Sequence, residues 1–343
     1  MVAVTRGRRR LSLLVPGLLD GSWGAREAGL ARHGAACINR VLARATSHPF
    51  PGGGLEAVLF ALFGIEPDPD IDLPVAAVSR VADTGDVDPG WWLRADPVHL
   101  RPDQDRVLLF AGPGLGVRAE EARALVQALN EHFADRNLRF EAPVAGRWYL
   151  RLSVPPGVCT APLAAVAGRD IHRHLPAGES ARRWRGLLNE VQMLLHGHPV
   201  NGDRERAGAP AINGVWFWGG GCIPKPPAPQ WACVWAEDST ARGLARLAGT
   251  ALEAPPPDGQ RWLQGAGAGE HLVVLTQVYD PAVSGDWPAW GQAVSWMGQA
   301  WFAPLERALR RARLSALDVL PGDGRRYRVT AARLLRFWRR GLG

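Results

Sequence analysis

Only one lysine, Lys225, occurs among the 343 residues, so the 40 basic residues and the net charge of +7 are almost wholly arginine. These arginines are scattered, with short clusters only at Arg8 to Arg10, at Arg310, Arg311 and Arg313, and at Arg336, Arg339 and Arg340. A nucleic-acid groove concentrates basic charge on one face. The scatter therefore argues for solvated helix faces and tails rather than a nucleic-acid partner. Cysteine is scarce too: Cys37, Cys159, Cys222 and Cys233 form no C-x-x-C pair. That excludes a disulfide framework and fits a zinc site poorly, so a reduced, cytoplasmic protein is expected. No apolar run reaches the ~20 residues that cross a bilayer, so no membrane association is expected. Arg6 to Arg10 followed by Leu11 to Leu19 imitates a signal peptide, but Pro16 and Gly17 interrupt the apolar stretch. The expectation is a first buried strand, not export. G-x-S-x-G, the P-loop spacing and G-x-G-x-x-G are missing as well.

What remains is ample for a core: 47% hydrophobic residues, among them 15 tryptophans, with 40 glycines and 28 prolines as punctuation. Apolar runs that read as buried strands alternate with helical periods. Leu11 to Val15, Arg106 to Phe110, Trp148 to Leu152, Val215 to Trp218, Leu272 to Gln277 and Leu317 to Leu320 read as strands. Helices are expected around Ala25 to Ala45 and over Leu55 to Phe63, Glu120 to Phe133, Arg242 to Gly249 and Ala289 to Arg313, the last as one or two. Ala181 to His196 is the cleanest, with Trp184, Leu187, Leu188, Val191, Leu194 and Leu195 on one face and Gly197 and Pro199 ending it. Alternating strands and helices predict an α/β sheet with helices on both faces.

Two stretches could carry binding chemistry. His196 to Asn213 follows a helix end and gathers polar groups around glycines and prolines. Asn201, Arg204 and Asn213 could converge on a phosphate or carboxylate, since guanidinium forks suit such anions. Equally, His196 and His198 could sit at a negative helix end and Asn201 to Asn213 could be a self-bonded loop. In Trp91 to Leu100, Arg94 and His99 among aromatics could read an acidic ligand. The alternative there is a strand with core tryptophans and an Arg94–Asp96 pair at its edge. Gly219 to Gly221 after a strand has a faint likeness to a phosphate loop, without its spacing.

The order of several motifs resembles a known family. They are Leu13 to Leu18, Cys37 to Ala43, Pro51 to Gly64 with Pro67, Leu93 to Ala95, His198 to Asn213 running on to Gly221, and Gly243 to Gly249. Together they resemble the cofactor-independent phosphoglycerate mutases of the archaeal type, in the alkaline phosphatase superfamily, and more closely the bacterial RpfE-type regulatory proteins. The resemblance implies an alkaline-phosphatase-like core over 1–82 and 211–343, with an inserted α/β substrate-type domain over 83–210.

The departures fall on the chemistry. Enzymes of this family pass a phosphoryl group through a serine assisted by two divalent metals. The position of the first metal-binding aspartate is Pro16, with Asp20 four residues away. The Pro-x-Ser-Asp nucleophile loop reads Pro51-Gly52-Gly53-Gly54, and Ser47 lies outside it. The Asp-x-x-Gly-His element becomes Asp280 to Asp286, the Asp-His turn becomes Asp323-Gly324, and no histidine follows Thr276. Asp280, Asp286 and Asp323 are the residual candidates for one weakly held Mg²⁺. These departures lead to the expectation of a catalytically degenerate protein without a cofactor. It would bind a small anionic metabolite or a protein partner through Arg94, His198, Asn201, Arg204 and Asn213. The alternative is an active mutase or phosphatase using Mn²⁺ or Mg²⁺ with relocated ligands, Asp20 and the three later aspartates.

Overall fold

The computed structural model describes residues 9–19, 36–66, 68, 71–225, 228 and 230–335. The chain divides into two compact units, 1–65 with 226–343, and 66–225. These limits differ from the expected 83–210 insert, because the helix Val75–Thr84 and the strand Gly214–Gly221 both pack within the second unit.

The first unit is built on a seven-stranded sheet in the order β2-β12-β11-β1-β10-β8-β9. Its strands are β1 (Arg9–Leu14), β2 (Thr46–Pro49), β8 (Cys233–Trp235), β9 (Leu252–Glu253), β10 (Gly269–Val274), β11 (Ala316–Leu320) and β12 (Arg325–Val329). From β11 to β9 every pairing is parallel, whereas β12 is antiparallel to both β11 and β2. Parallel strands need crossovers, and they read as continuous apolar runs because both sheet faces are covered. Leu11, Leu13 and Leu14 of β1 are almost wholly buried, as the expected first strand requires. The core gathers β1 and β11 with Trp262, Trp290, Trp301 and Phe302.

Two short elements of this sheet are invisible to periodicity. β2 is polar, and β12 is Arg325-Arg326-Tyr327-Arg328-Val329. Both join one side of the parallel strands through antiparallel pairings, where one face stays wet and charge is tolerated. The expected helix over Ala289 to Arg313 proves to be Trp287–Met297, a π turn at Gly298–Phe302, and Ala303–Arg310. The widened turn leaves the Gly298 carbonyl accepting both the Ala303 N–H and the Cys37 thiol, the latter at 2.9 Å. Of the helix expected around Ala25 to Ala45, residues 25–35 lie outside the described residues, and Ala36–Ala43 is helical.

The second unit carries the antiparallel strands β3 (Trp91–Asp103), β4 (Arg106–Phe110), β5 (Arg139–Val144), β6 (Arg147–Leu152) and β7 (Gly214–Gly221). Their order is β4-β3-β6-β5, with β7 also paired to β3. Alternation along β3 sorts its side chains. Leu93 and Ala95 enter an apolar core with the helices Ala119–His132 and Ala181–His196. The expected stripe of the latter helix is there, with Trp184, Leu187, Val191 and Leu195 buried. Trp92, Arg94 and Asp96 point to the opposite face, under the helix Val75–Thr84.

Gly219 to Gly221 belong to β7 itself and are explained by packing rather than by phosphate binding. A Cβ on Gly221 would lie 2.6 Å from the Pro74 Cβ, and one on Gly219 would lie 2.9 Å from the Val75 Cβ. The start of the Val75–Thr84 helix thus rests directly on the strand backbone. Gly221→Ala should destabilise the protein by about 1–3 kcal/mol through overpacking. By contrast Gly186→Ala, on an open helix surface with no atom near the added methyl, should stabilise it by about 0.5–1 kcal/mol. Urea unfolding of the two variants checks both signs.

Candidate functional site

In an open sheet with parallel strands, ligands bind beyond the carboxyl ends of the strands. In the first unit those ends belong to β1, β10 and β11, joined by β2, which runs in the same direction. The segments leaving them interlock through backbone. Val15 N–H donates to the Leu320 carbonyl at 2.9 Å, and Leu275 N–H donates to that of Leu14 at 2.9 Å. Phe50 N–H donates to the Gly324 carbonyl at 3.0 Å. A Cβ on Gly52 would stand only 3.1 Å from the Gly324 Cα. The turn Pro51 to Gly54 is therefore pressed against the turn after β11.

Gly53 and Gly54, which the sequence resemblance sets against a serine and an aspartate, have φ of +102° and +104°. L-residues with side chains rarely adopt that conformation. Gly54 then opens the helix Leu55–Leu62 without any side-chain cap.

Each of the late aspartates serves its own segment or stands alone. Asp286 caps the helix Trp287–Met297 by accepting from Ala289 N–H at 3.0 Å. Asp323 accepts from Arg325 N–H at 3.1 Å and from the Tyr327 hydroxyl at 2.8 Å. Asp280 lies on the helix Tyr279–Ser284 with an exposed side chain. Pro16 offers no ligand atom, and Asp20 lies outside the described residues. Among the described residues, no three His, Cys, Asp or Glu side chains gather as a cation site. Hard divalent ions need several oxygen or imidazole donors at short range. The described donors do not fit a two-metal phosphotransfer centre.

The anion site expected in the second unit is not assembled either. Arg94 and Arg204 lie on opposite faces of the sheet. Arg94 is 6% exposed and donates from Nε and Nη2 to one oxygen of Asp96, at 3.1 and 2.7 Å. Its Nη1 reaches Ser79 Oγ at 3.4 Å, and its guanidinium lies 5.3 Å from the Tyr149 ring centre and 5.2 Å from that of Trp218. Trp218 Nε1 donates to the other Asp96 oxygen at 2.7 Å. Burial opposes the Arg94 charge, but Asp96, Tyr149 and Asp83 together more than offset it, and the pKa stands above its ordinary value. The pair is thus buried mid-strand, not at an edge. Asp83 continues the network, accepting from the Tyr149 hydroxyl at 2.7 Å and pairing with Arg147 at 2.7 Å.

On the other face Arg204 pairs with Glu121 at 2.7 Å and donates to the carbonyls of Pro210 and Leu115. Asn201 donates to the Leu195 and Ile212 carbonyls and accepts from Ile212 N–H. Asn213 exchanges two hydrogen bonds with the backbone of Leu100. His198 caps the helix Pro199–Arg206 by accepting from Val200 N–H at 3.3 Å. The motif is a brace whose amides and guanidinium already hold partners, some within it and some far away in sequence. His99 likewise contacts the Ala211 carbonyl through Nδ1.

The partners Ser79, Asp83, Glu121 and Tyr149 went unnoticed in the sequence. Ser79 and Asp83, four apart, mark one helix face, and that spacing was the available signal.

The architecture is mixed α/β, a largely parallel sheet interrupted by an antiparallel unit. A solved structure from Pyrococcus horikoshii, the PH0037 protein, shares this fold. It superposes with a TM-score of 0.55 at 14% identity, over 94% of this chain and 86% of that one. In sequence, residues 82–201 match the family model described as 2,3-bisphosphoglycerate-independent phosphoglycerate mutase. A Geobacter sulfurreducens protein named as a probable enzyme of that kind is 28% identical over 190 residues, 54% of this chain and 46% of that protein. A Methanosarcina acetivorans mutase of the same description is 28% identical over 112 residues, 32% of this chain and 28% of its own length. The chain therefore spans less than half of these curated relatives. Over residues 82–201 it is similar to the cofactor-independent phosphoglycerate mutases.

Glu121 offers a direct test of the brace. Burial would raise its pKa, but hydrogen bonds from the Arg118 N–H and guanidinium, with the charge of Arg204, hold it below the usual value. A carboxylate with a lowered folded-state pKa contributes stability that is complete above its unfolded pKa, ~4.3. That contribution is lost as pH falls through the folded value. Glu121→Gln should cost about 3–5 kcal/mol at neutral pH by leaving the Arg204 charge buried without its partner. Its denaturation midpoint should also depend less on pH below ~4 than that of the parent.

Proposed function

We propose that this phosphoglycerate-mutase-like protein has lost serine phosphotransfer and acts by binding, in the regulatory manner that the RpfE-type resemblance implies. The observation that carries this reading is the backbone at Gly53 and Gly54. The loop that presents serine and aspartate in the family adopts here a conformation suited to glycine. Close contact between Gly52 and the Gly324 backbone holds it there. The bonds of Asp286 and Asp323 within their own segments support the same reading. A nucleophile acts as a unit with its metals, and losing one member typically costs several orders of magnitude in rate.

On this reading neither Mn²⁺ nor Mg²⁺ is a resident cofactor, and the occupant is a small anionic metabolite or a protein partner. The buried partners of Arg94 and Arg204 favour a structural role for both, so the binding surface lies elsewhere than in the sequence-expected set.

Interconversion of 2- and 3-phosphoglycerate, assayed with Mn²⁺ or Mg²⁺ added, should not exceed the buffer rate. The Gly53→Ser/Gly54→Asp double variant should restore no activity and should be less stable than its parent. Metal-dependent turnover of the parent, lost on Asp323→Ala, would overturn the proposal and establish an active enzyme with relocated ligands.

A further inference from the structure

The second unit has a surface cleft of about 720 Å³ on the side of the helix Ala181–His196. Its apolar lining includes Leu138, Leu152, Val154, Trp184 and Leu187, and Arg136, Arg182 and Arg183 bring positive charge to it. Val154 is 61% exposed, an apolar side chain turned to solvent at the cleft.

The wall formed by residues 153–156 is held in place. Trp184 Nε1 donates to the Pro156 carbonyl at 3.0 Å. Further along the same loop, Trp216 Nε1 donates to the Ala161 carbonyl at 2.9 Å. Cys159 and Ala177 exchange two backbone hydrogen bonds, at 2.8 and 3.1 Å. The Thr160 N–H and hydroxyl both donate to Asp72. The cleft is therefore preformed, as ligand sites generally are.

Its charges are unequally engaged. Glu190, which also lines the cleft, is paired with Arg136 at 2.7 Å and hydrogen-bonded to His132 at 2.8 Å. Arg182 and Arg183 make no ion pair or side-chain hydrogen bond among the described residues; Glu179 is the remaining acid of the lining. Both arginines stand in the first turn of their helix, which contains no acidic residue. Cations in that position oppose the helix dipole, which favours negative charge there. An anion placed beside them relieves both.

We infer that this cleft binds a small organic anion with an apolar body, the sulfonate, carboxylate or phosphate meeting Arg182 and Arg183 and the body lying on Trp184 and Leu187. The assignment is independent of whether the first unit retains any phosphotransfer.

A suitable probe is 1-anilinonaphthalene-8-sulfonate, an aromatic body bearing one anion, titrated by fluorescence against the intact protein. The expected result is a single site whose affinity falls at least about tenfold in Arg182→Ala/Arg183→Ala, equivalent to ~1.4 kcal/mol. Both substitutions are on exposed side chains, and circular dichroism verifies that the variant is folded. The neutral analogue N-phenyl-1-naphthylamine should bind at least about tenfold more weakly than the sulfonate. Unchanged affinity in the double variant, equal binding of the neutral analogue, or several equivalent weak sites would each overturn the inference.

Discussion

A Cβ at Gly221 would lie 2.6 Å from the Pro74 side chain, and one at Gly52 would lie 3.1 Å from the Gly324 Cα. In both units a backbone segment is allowed to rest directly on another because one side chain is missing. In the second unit this lets the Val75–Thr84 helix sit low on β7, bringing Ser79 and Asp83 within reach of Arg94 and Tyr149. In the first it closes the turn after β2 against the turn after β11. Where an open sheet ordinarily leaves a crevice, glycine here permits contact. The same missing atom thus supports a polar network in one unit and a backbone contact between two turns in the other.

Burial of charge follows from the first of these contacts. A guanidinium cannot stay buried beside a helix without acceptors, and β3 supplies one two residues on, Asp96, on the same face. Tyr149 and Trp218 cover Arg94 from β6 and β7, so the pair links three strands. On the far side, Arg204 and Glu121 join the Pro199–Arg206 and Ala119–His132 helices with hardly any exposure, 2% and 5% for the two side chains. Such pairs gain little over apolar packing but are costly to break. They specify where the helices sit more than how strongly.

The central parallel strands β1, β10 and β11 and the helix Ala181–His196 were legible because apolar periodicity reports burial directly. Leu11 to Val15 and Ala181 to His196 fall where their patterns put them. β2 and β12 were not legible, since a charged antiparallel flank has no apolar signal. The binding motif failed for another reason. Residue type suggests chemistry, whereas availability depends on partners far away in sequence. Arg204 looks like an anion receptor until Glu121, 83 residues earlier, is found beside it. Asn213 looks like a ligand contact until its amide is seen completing hydrogen bonds for Leu100, 113 residues earlier. Contacts of that separation leave no trace in local spacing.

The arginine excess acquires meaning only when sorted by engagement. Arg80, Arg94, Arg147 and Arg204 are tied to carboxylates within the second unit, and Arg40 and Arg328 are tied likewise in the first. A residue in such a pair contributes formal charge but little field, because its partner cancels it within a few ångströms. Attraction for an outside anion must come from guanidinium groups not already bound to an acid. It counts most where low-dielectric walls focus it. Arg182 and Arg183 meet the first condition, and the Trp184–Leu187 lining meets the second. Net charge therefore says little about this protein's partner; the placement of a few unpaired arginines beside apolar surface says more.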